Sequence, residues 1–158
     1  MMMAIHIKIT RYIISPILKL LDLLTPYGDL IVRIWIARIF FLSGLTKVEC
    51  WSSTLMLFQN VYHVPMLPPY FAACLGTLCE LILPILLVLG LGGRLFIFIF
   101  FIYNFICVIS FNFLWTPAGH AGLEDHINWG LLLMMLMFHG SGKISLDYWI
   151  RKRMQKHF

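Results

Sequence analysis

Between Tyr70 and Leu114 the chain is apolar almost without interruption. The only Asp, Glu, Lys, Arg or His side chains along it are Glu80 and Arg94, the latter in a Gly90-Leu-Gly-Gly-Arg94 turn. Each side of that turn offers roughly the 20 residues that carry an α-helix across about 30 Å of hydrocarbon. In lipid every backbone N–H and C=O must find a partner within the protein, which leaves helices and closed barrels. These runs do not alternate between apolar and polar residues as barrel strands do. An all-α, integral membrane chain is the expectation.

Composition extends this to the whole chain. Hydrophobic residues make up 61% and charged residues 12%, against roughly 45–50% and about 25% in soluble domains. Mean hydropathy is +0.88. A soluble enzyme, a disordered chain and a disulfide-stapled secreted mini-protein are excluded. The net charge of +5 and pI near 9.2 would suit nucleic acid if the basic residues lined one face. They gather at the chain ends beside apolar runs, so they read as topology signals and no nucleic-acid partner is expected.

Four spans are expected: Asp29 to Thr46, Tyr70 to Leu91, Leu95 to Leu114, and Ile127 to Phe138. The last is short unless it continues through Gly140 and Gly142 towards Tyr148 and Trp149, an interfacial aromatic pair. Ahead of them, Ile5, Ile9, Tyr12, Ile13, Ile17, Leu20 and Leu24 have the spacing of an amphipathic helix lying in the interface. Lys8, Arg11, Lys19 and Pro16 interrupt this stretch, unlike the unbroken core of a signal peptide, so it is expected to be retained. The chain thus divides into an interfacial segment over 1–27, a four-span bundle over 28–150 and a basic tail over 151–158. Lys8, Arg11 and Lys19 precede the first span, Arg94 lies in the middle turn, and Lys143, Arg151, Lys152, Arg153 and Lys156 follow the last. The Trp115–His126 connection has no Lys or Arg. The positive-inside rule therefore puts both termini on the cytoplasmic side of the inner membrane.

An ionisable group at bilayer depth costs at least about 2.5–3.5 kcal/mol and needs a reason. Glu80 is the sharpest case. It is either a helix-binding carboxylate, protonated or ion-paired, or a proton carrier or ligand contact. Arg33 is expected near the inner interface, where it can snorkel. Arg38 lies deeper and is the expected ion partner of Glu80. Five residues set the two arginines roughly 140° apart around a helix. At the outer end stand Lys47, Glu49 and His63, then His120, Glu124, Asp125, His126 and Asn128. His120, Asp125 and His126 have ligand types that suit zinc, copper or iron, in no dedicated metal spacing. A solvated polar loop is the plainer reading. Met134, Met135 and Met137 read as packing. Cys50, Cys74, Cys79 and Cys107 contain no Cys-x-x-Cys pair, so a dithiol redox motif is absent.

Several of these positions fall in an order that resembles the DoxX family of small four-helix membrane proteins. Arg33 followed by Phe40 and Gly44-Leu-Thr-Lys47 is similar to its first-span signature. Glu80 with the run to Leu89-Gly90-Leu91 and Arg94 is similar to its second-span block. Gly140-Ser-Gly-Lys-Ile-Ser145-Leu146-Asp147 is similar to its closing Gly-x-Gly-x-x-Ser-Leu-Asp. The resemblance runs from about Gly28 to Asp147. Pro84 and Ala37 stand where glycine is frequent in the family, and nothing aligns over His120 to His126. The family includes a subunit of an archaeal thiosulfate:quinone oxidoreductase and members linked to redox-stress complexes with soluble partners. The resemblance implies family positions at Arg33, Gly44, Lys47, Glu80, Arg94 and Ser145 to Asp147. Ser145 is expected to cap a terminal helix, and Asp147 to pair with basic residues.

The leading functional expectation is a redox-associated subunit that binds or reduces a quinone. Glu80 would act as the catalytic proton carrier, and Arg33, Arg38 and Lys47 would join it in binding the quinone. Electrons would come from a soluble partner, because the chain has no nucleotide, haem or cluster motif of its own. Two rivals are a scaffold docking soluble proteins through the basic tail, and a metal-handling protein using His63, His120, Asp125 and His126. Membrane lipids are expected contacts, and a second copy of the chain is a further partner class.

Overall fold

The computed structural model describes residues 14–140 and 142–155. The part of the interfacial segment over 1–13 and the tail over 156–158 lie outside the described residues. Six α-helices are present among the described residues: α1 (Ser15–Glu49), α2 (Trp51–Asn60), α3 (Pro69–Leu89), α4 (Gly93–Ser110), α5 (His120–His139) and α6 (Leu146–Met154). A 3₁₀ turn over Asn112–Trp115 links α4 to α5. No strand forms among the described residues; Tyr62 and Phe111 make an isolated bridge.

One core gathers residues from α1, α3, α4 and α5: Ile36 and Phe40, Leu83 and Leu87, Ile97 and Phe100, Leu133 and Leu136. Phe40 stands edge-on to Phe100, with ring centroids 4.8 Å apart. Around this core the distribution of polarity departs from that of a soluble domain. Asp29, Arg33, Thr77, Glu80 and Asn104 are buried, whereas Ile31, Trp35, Leu75, Phe98, Phe105 and Phe138 are exposed. Such an exposed apolar surface would drive association in water. In lipid it costs nothing, and buried polar groups then help hold helices together.

Among the described residues two helices, α3 and α4, are long and apolar enough to cross a membrane. Both follow from their sequences. Pro69 opens α3 at a position where no N–H is needed, and Gly90 ends it in the left-handed region at φ 63°. In α1 the apolar run is interrupted by Asp29, Arg33 and Arg38, and α5 opens on His120, Glu124, Asp125 and His126.

Three boundaries differ from expectation. The first helix begins at Ser15 and runs 35 residues without a break, although Pro26 lies inside it. Residues 15–28 contribute nothing buried, and burial starts at Asp29. The third run ends as a helix at Ser110, and its last residues form the 3₁₀ turn. The fourth helix does not continue through Gly140 to Tyr148. It stops at His139, because Gly140 (φ 84°) and Gly142 (φ 65°) leave helical geometry. Its 20 residues are completed at the other end, by starting at His120.

Candidate functional site

Along α1 the buried positions are Asp29, Arg33, Ile36, Ala37, Phe40 and Gly44, a spacing that draws one stripe along the helix. Lys47 is next on that stripe. Gly44 lets α3 approach closely: a Cβ there would sit 3.0 Å from the Glu80 Cβ. Lys47, one turn on, therefore reaches across to α3. Its Nζ lies 2.5 Å from Glu80 Oε2, with the two side chains 14% and 7% exposed. The same ammonium donates to Ser43 Oγ at 2.9 Å.

A third helix completes the centre. Tyr103 of α4 donates its hydroxyl to Glu80 Oε1 at 3.0 Å and lies 3.1 Å from the Gly76 carbonyl. Both carboxylate oxygens thus have partners from different helices. Lys47 is in turn fixed by α2, whose Thr54 hydroxyl donates to the Lys47 carbonyl at 3.0 Å. A charge paired and hydrogen-bonded in this way is tolerated at depth, and removal of either partner strands the other.

Arg38 does not take part. It is exposed, as its angular offset from Arg33 requires once Arg33 is on the buried stripe. The Arg38–Glu80 pair expected from depth alone is replaced by Lys47–Glu80. Arg33 does not snorkel: it is 1% exposed. Its Nη2 donates to the Ile144 carbonyl at 2.6 Å and its Nε to the Asp29 carbonyl at 3.3 Å. Arg33 Nη1 faces Gly90, where a Cβ would stand 2.7 Å from it.

Gly90 brings the closing block onto the same spot. A Cβ there would stand 2.5 Å from Ser145 Cβ. The Asp147 N–H donates to the Gly90 carbonyl at 3.4 Å, and Asp147 Oδ1 accepts from the Gly92 N–H at 3.2 Å. Ser145 caps α6 by accepting from the Tyr148 N–H at 3.2 Å. The expected cap is present. Asp147 holds the α3–α4 turn and forms no ion pair among the described residues. Arg94 is exposed and runs beside Gly140. The family-like positions therefore form two groups, a charged centre around Glu80 and a clasp around Arg33. Ten residues of α3 place them roughly 15 Å apart.

His120 and His126 do not converge. His120 Nδ1 lies 3.4 Å from Glu124 Oε1, both exposed, and Asp125 is exposed. His126 turns inward instead. Asn104 donates from Nδ2 to the His126 carbonyl at 3.0 Å, so its Oδ1 accepts from His126 Nδ1 at 2.8 Å. The proton of the neutral ring is then on Nδ1. His126 also packs edge-on to Trp129 and Phe40. No group of three or more His, Cys, Asp or Glu side chains is placed to hold a metal among the described residues.

A cavity of about 360 Å³ lies between α2, residues 61–68 and the start of α3, lined by Phe58, Gln59, Tyr62, His63, Leu67 and Ala72 among others. Phe58 forms its inner wall and packs on Gly76. Tyr62 stands edge-on to Phe58 and to Phe111, both at 5.0 Å. Burial pushes the Tyr62 hydroxyl above its ordinary pKa, and the Glu80 carboxylate adds to this.

Sequence reasoning missed Tyr103 and this cavity. Tyr103-Asn104 is the one Tyr-Asn interruption of α4, and both side chains bond to neighbouring helices; that interruption was the available signal. The cavity depends on how α2 folds back over α3, which no local pattern encodes. The family model described as DoxX matches residues 28–113, a stretch that holds Arg33, Gly44, Lys47, Glu80, Arg94 and Tyr103. No curated protein matches the chain, and no solved structure does.

Proposed function

The chain belongs to the DoxX family and is a membrane protein of that family, and on that premise we propose that it serves as a quinone-linked redox subunit of the inner membrane. In this reading α1, α3, α4 and α5 cross the bilayer as a four-helix bundle. Both chain ends and the Gly90–Arg94 turn face the cytoplasm, and α2 faces outward. The clustering of Lys and Arg at the ends and in that turn supports the orientation. The exposed Arg151, Lys152 and Arg153 of α6 lie against anionic headgroups. Lys152 Nζ stands 5.8 Å and 5.7 Å from the ring centroids of Tyr148 and Trp149, which anchor the same helix.

One observation supports the functional reading: a carboxylate, an ammonium and a phenol from three helices meet inside the protein. An intramembrane carboxylate of this kind marks a proton or ligand path. Reducing a quinone to a quinol takes two electrons and two protons. A soluble partner supplies the two electrons, and Glu80 passes the two protons one after the other, recovering each from water, with Tyr103 as its hydroxyl neighbour. Lys47 supplies positive charge and N–H donors, as a carbonyl oxygen gaining charge requires. Arg38, being exposed, and Arg33, enclosed by the closing block, are further from this chemistry than Lys47.

The test is organic extraction and mass spectrometry of protein purified in mild detergent, comparing the wild type with Glu80→Gln. Near-stoichiometric quinone in the wild type and depletion in the variant is the expected result. No enrichment over an unrelated membrane protein overturns the reading and leaves Glu80 as part of a structural ion pair.

A further inference from the structure

The outer cavity is not used by the charged centre, yet it adjoins it. Its walls are mainly apolar, with the Phe58 and Tyr62 rings on the inner side. Two polar groups, the Gln59 carboxamide and the His63 imidazole, are exposed. Neither side chain makes a hydrogen bond among the described residues. A dry cavity of roughly 150 Å³ takes a benzene ring. A cavity of about 360 Å³ therefore has room for a substituted single ring and the first carbons of a tail.

Its rim indicates the phase from which a ligand arrives. Residues 64–69 read Val-Pro-Met-Leu-Pro-Pro, and Met66 is fully exposed with φ 64°. A side chain of that kind held outward at positive φ is unusual for a non-glycine residue. Leu67, beside it, is exposed too and also lines the cavity. An apolar rim offers little to a water-borne polar ligand and suits one dissolved in lipid. On the inner side the position of a Gly76 Cβ would be 3.2 Å from the Phe58 ring and 3.7 Å from the Tyr103 hydroxyl. The Phe58 ring that lines the cavity and the Tyr103 hydroxyl that meets Glu80 thus both flank Gly76.

We propose that this cavity seats the head ring of a lipid-soluble quinone, packed against Phe58 and Tyr62, with a carbonyl oxygen accepting from Gln59 or His63. The proposal rests on the quinone reading above and adds a position at which the ring is held outside the Lys47–Glu80 contact, before it reaches the groups that reduce it. An amphipathic ring with carbonyl acceptors matches apolar walls and two N–H donors. The tail leaves past Met66 and Leu67 into lipid.

Photolabelling of the full chain in detergent, with a single-ring azidoquinone as probe and a decyl-substituted quinone as competitor, tests this. Peptide mapping is expected to place the label within residues 58–72, and excess competitor to abolish it. Gln59→Leu with His63→Leu, both at exposed positions, is expected to weaken competition by about tenfold, the loss that one hydrogen bond accounts for. Circular dichroism and size-exclusion profiles verify that the variant folds. Label confined to α3 and α4 around Glu80, with quinone still extracted, overturns the cavity and leaves the quinone reading standing. Label within 58–72 that phospholipid removes and the decyl quinone does not makes the cavity a lipid crevice and also overturns it. No specific label together with no extracted quinone removes both.

Discussion

Lys47 and Glu80 are 33 positions apart in the chain and 2.5 Å apart in space, and the contact exists because Gly44 has no side chain. A Cβ at Gly44 would come within 3.0 Å of both Glu80 Cβ and Leu81 Cδ2. The charge pair and the small residue are one device: the glycine sets the interhelical distance and the lysine uses it.

Gly44→Leu is therefore expected to separate α1 from α3 and to lower thermal stability in detergent. Overpacking of this kind costs about 1–3 kcal/mol. Unchanged stability in a thermal unfolding assay would show that α1 and α3 yield more readily than their packing implies.

Removing one charge should cost more than removing both. Lys47→Met leaves Glu80 buried with Tyr103 alone, and loss of one partner from a buried pair destabilises by about 3–5 kcal/mol. Lys47→Met combined with Glu80→Leu should recover most of that loss. The double-mutant cycle, read by thermal unfolding, checks the pair directly. Additive losses would mean that the two residues act independently.

Tyr103→Phe deletes only the hydroxyl facing Glu80 Oε1. A hydrogen bond to a charged group contributes about 1.5–3 kcal/mol, and the ring packing is retained. The expected outcome is a stability loss in that range with an unchanged helical spectrum.

At the other end, Arg33→Lys should fail to replace arginine. The guanidinium spans Asp29 and Ile144 with two separate nitrogens, and an ammonium cannot reproduce that fork. Hydrogen exchange over residues 142–155 is expected to accelerate. Ser145→Ala should do so more mildly, because the loss of an N-cap costs about 1 kcal/mol. Exchange confined to α1 would show that Arg33 does not hold the closing block.

The helices α3 and α4 were legible from sequence because unbroken apolarity bounded by Pro69, Gly90 and Gly93 leaves little freedom. The partner of Glu80 was not, and the reason is geometric. Position along a span gives depth, but pairing also depends on azimuth. Arg38 has suitable depth and the wrong side of the helix. The stripe through Arg33, Phe40, Gly44 and Lys47 contained the azimuth, and it becomes readable once Phe40 and Gly44 are assigned to the interior. The end of α5 was misjudged because a short apolar run was lengthened towards Trp149, past two glycines that leave helical geometry. The chain added polar residues from His120 onwards instead. The His120, Asp125 and His126 grouping was visible only as proximity in sequence. On a helix, residues 120 and 126 point in different directions, and His126 is occupied with Asn104.

The uninterrupted α1 has a mechanical consequence. Its 35 residues make a rod of roughly 52 Å, well beyond the roughly 30 Å of a hydrocarbon core. Residues 15–28 bury no side chain among the described residues, while Lys47 grips Glu80 near the far end. Such a rod is a lever: bending or tilting its free arm turns the gripping end against a carboxylate held by α3 and α4. Pro26, which lacks the N–H that would bond to the Asp22 carbonyl, is where the arm gives first. The stiffness of the turns between Pro26 and Lys47 decides how much of a push from the membrane surface reaches the buried charge.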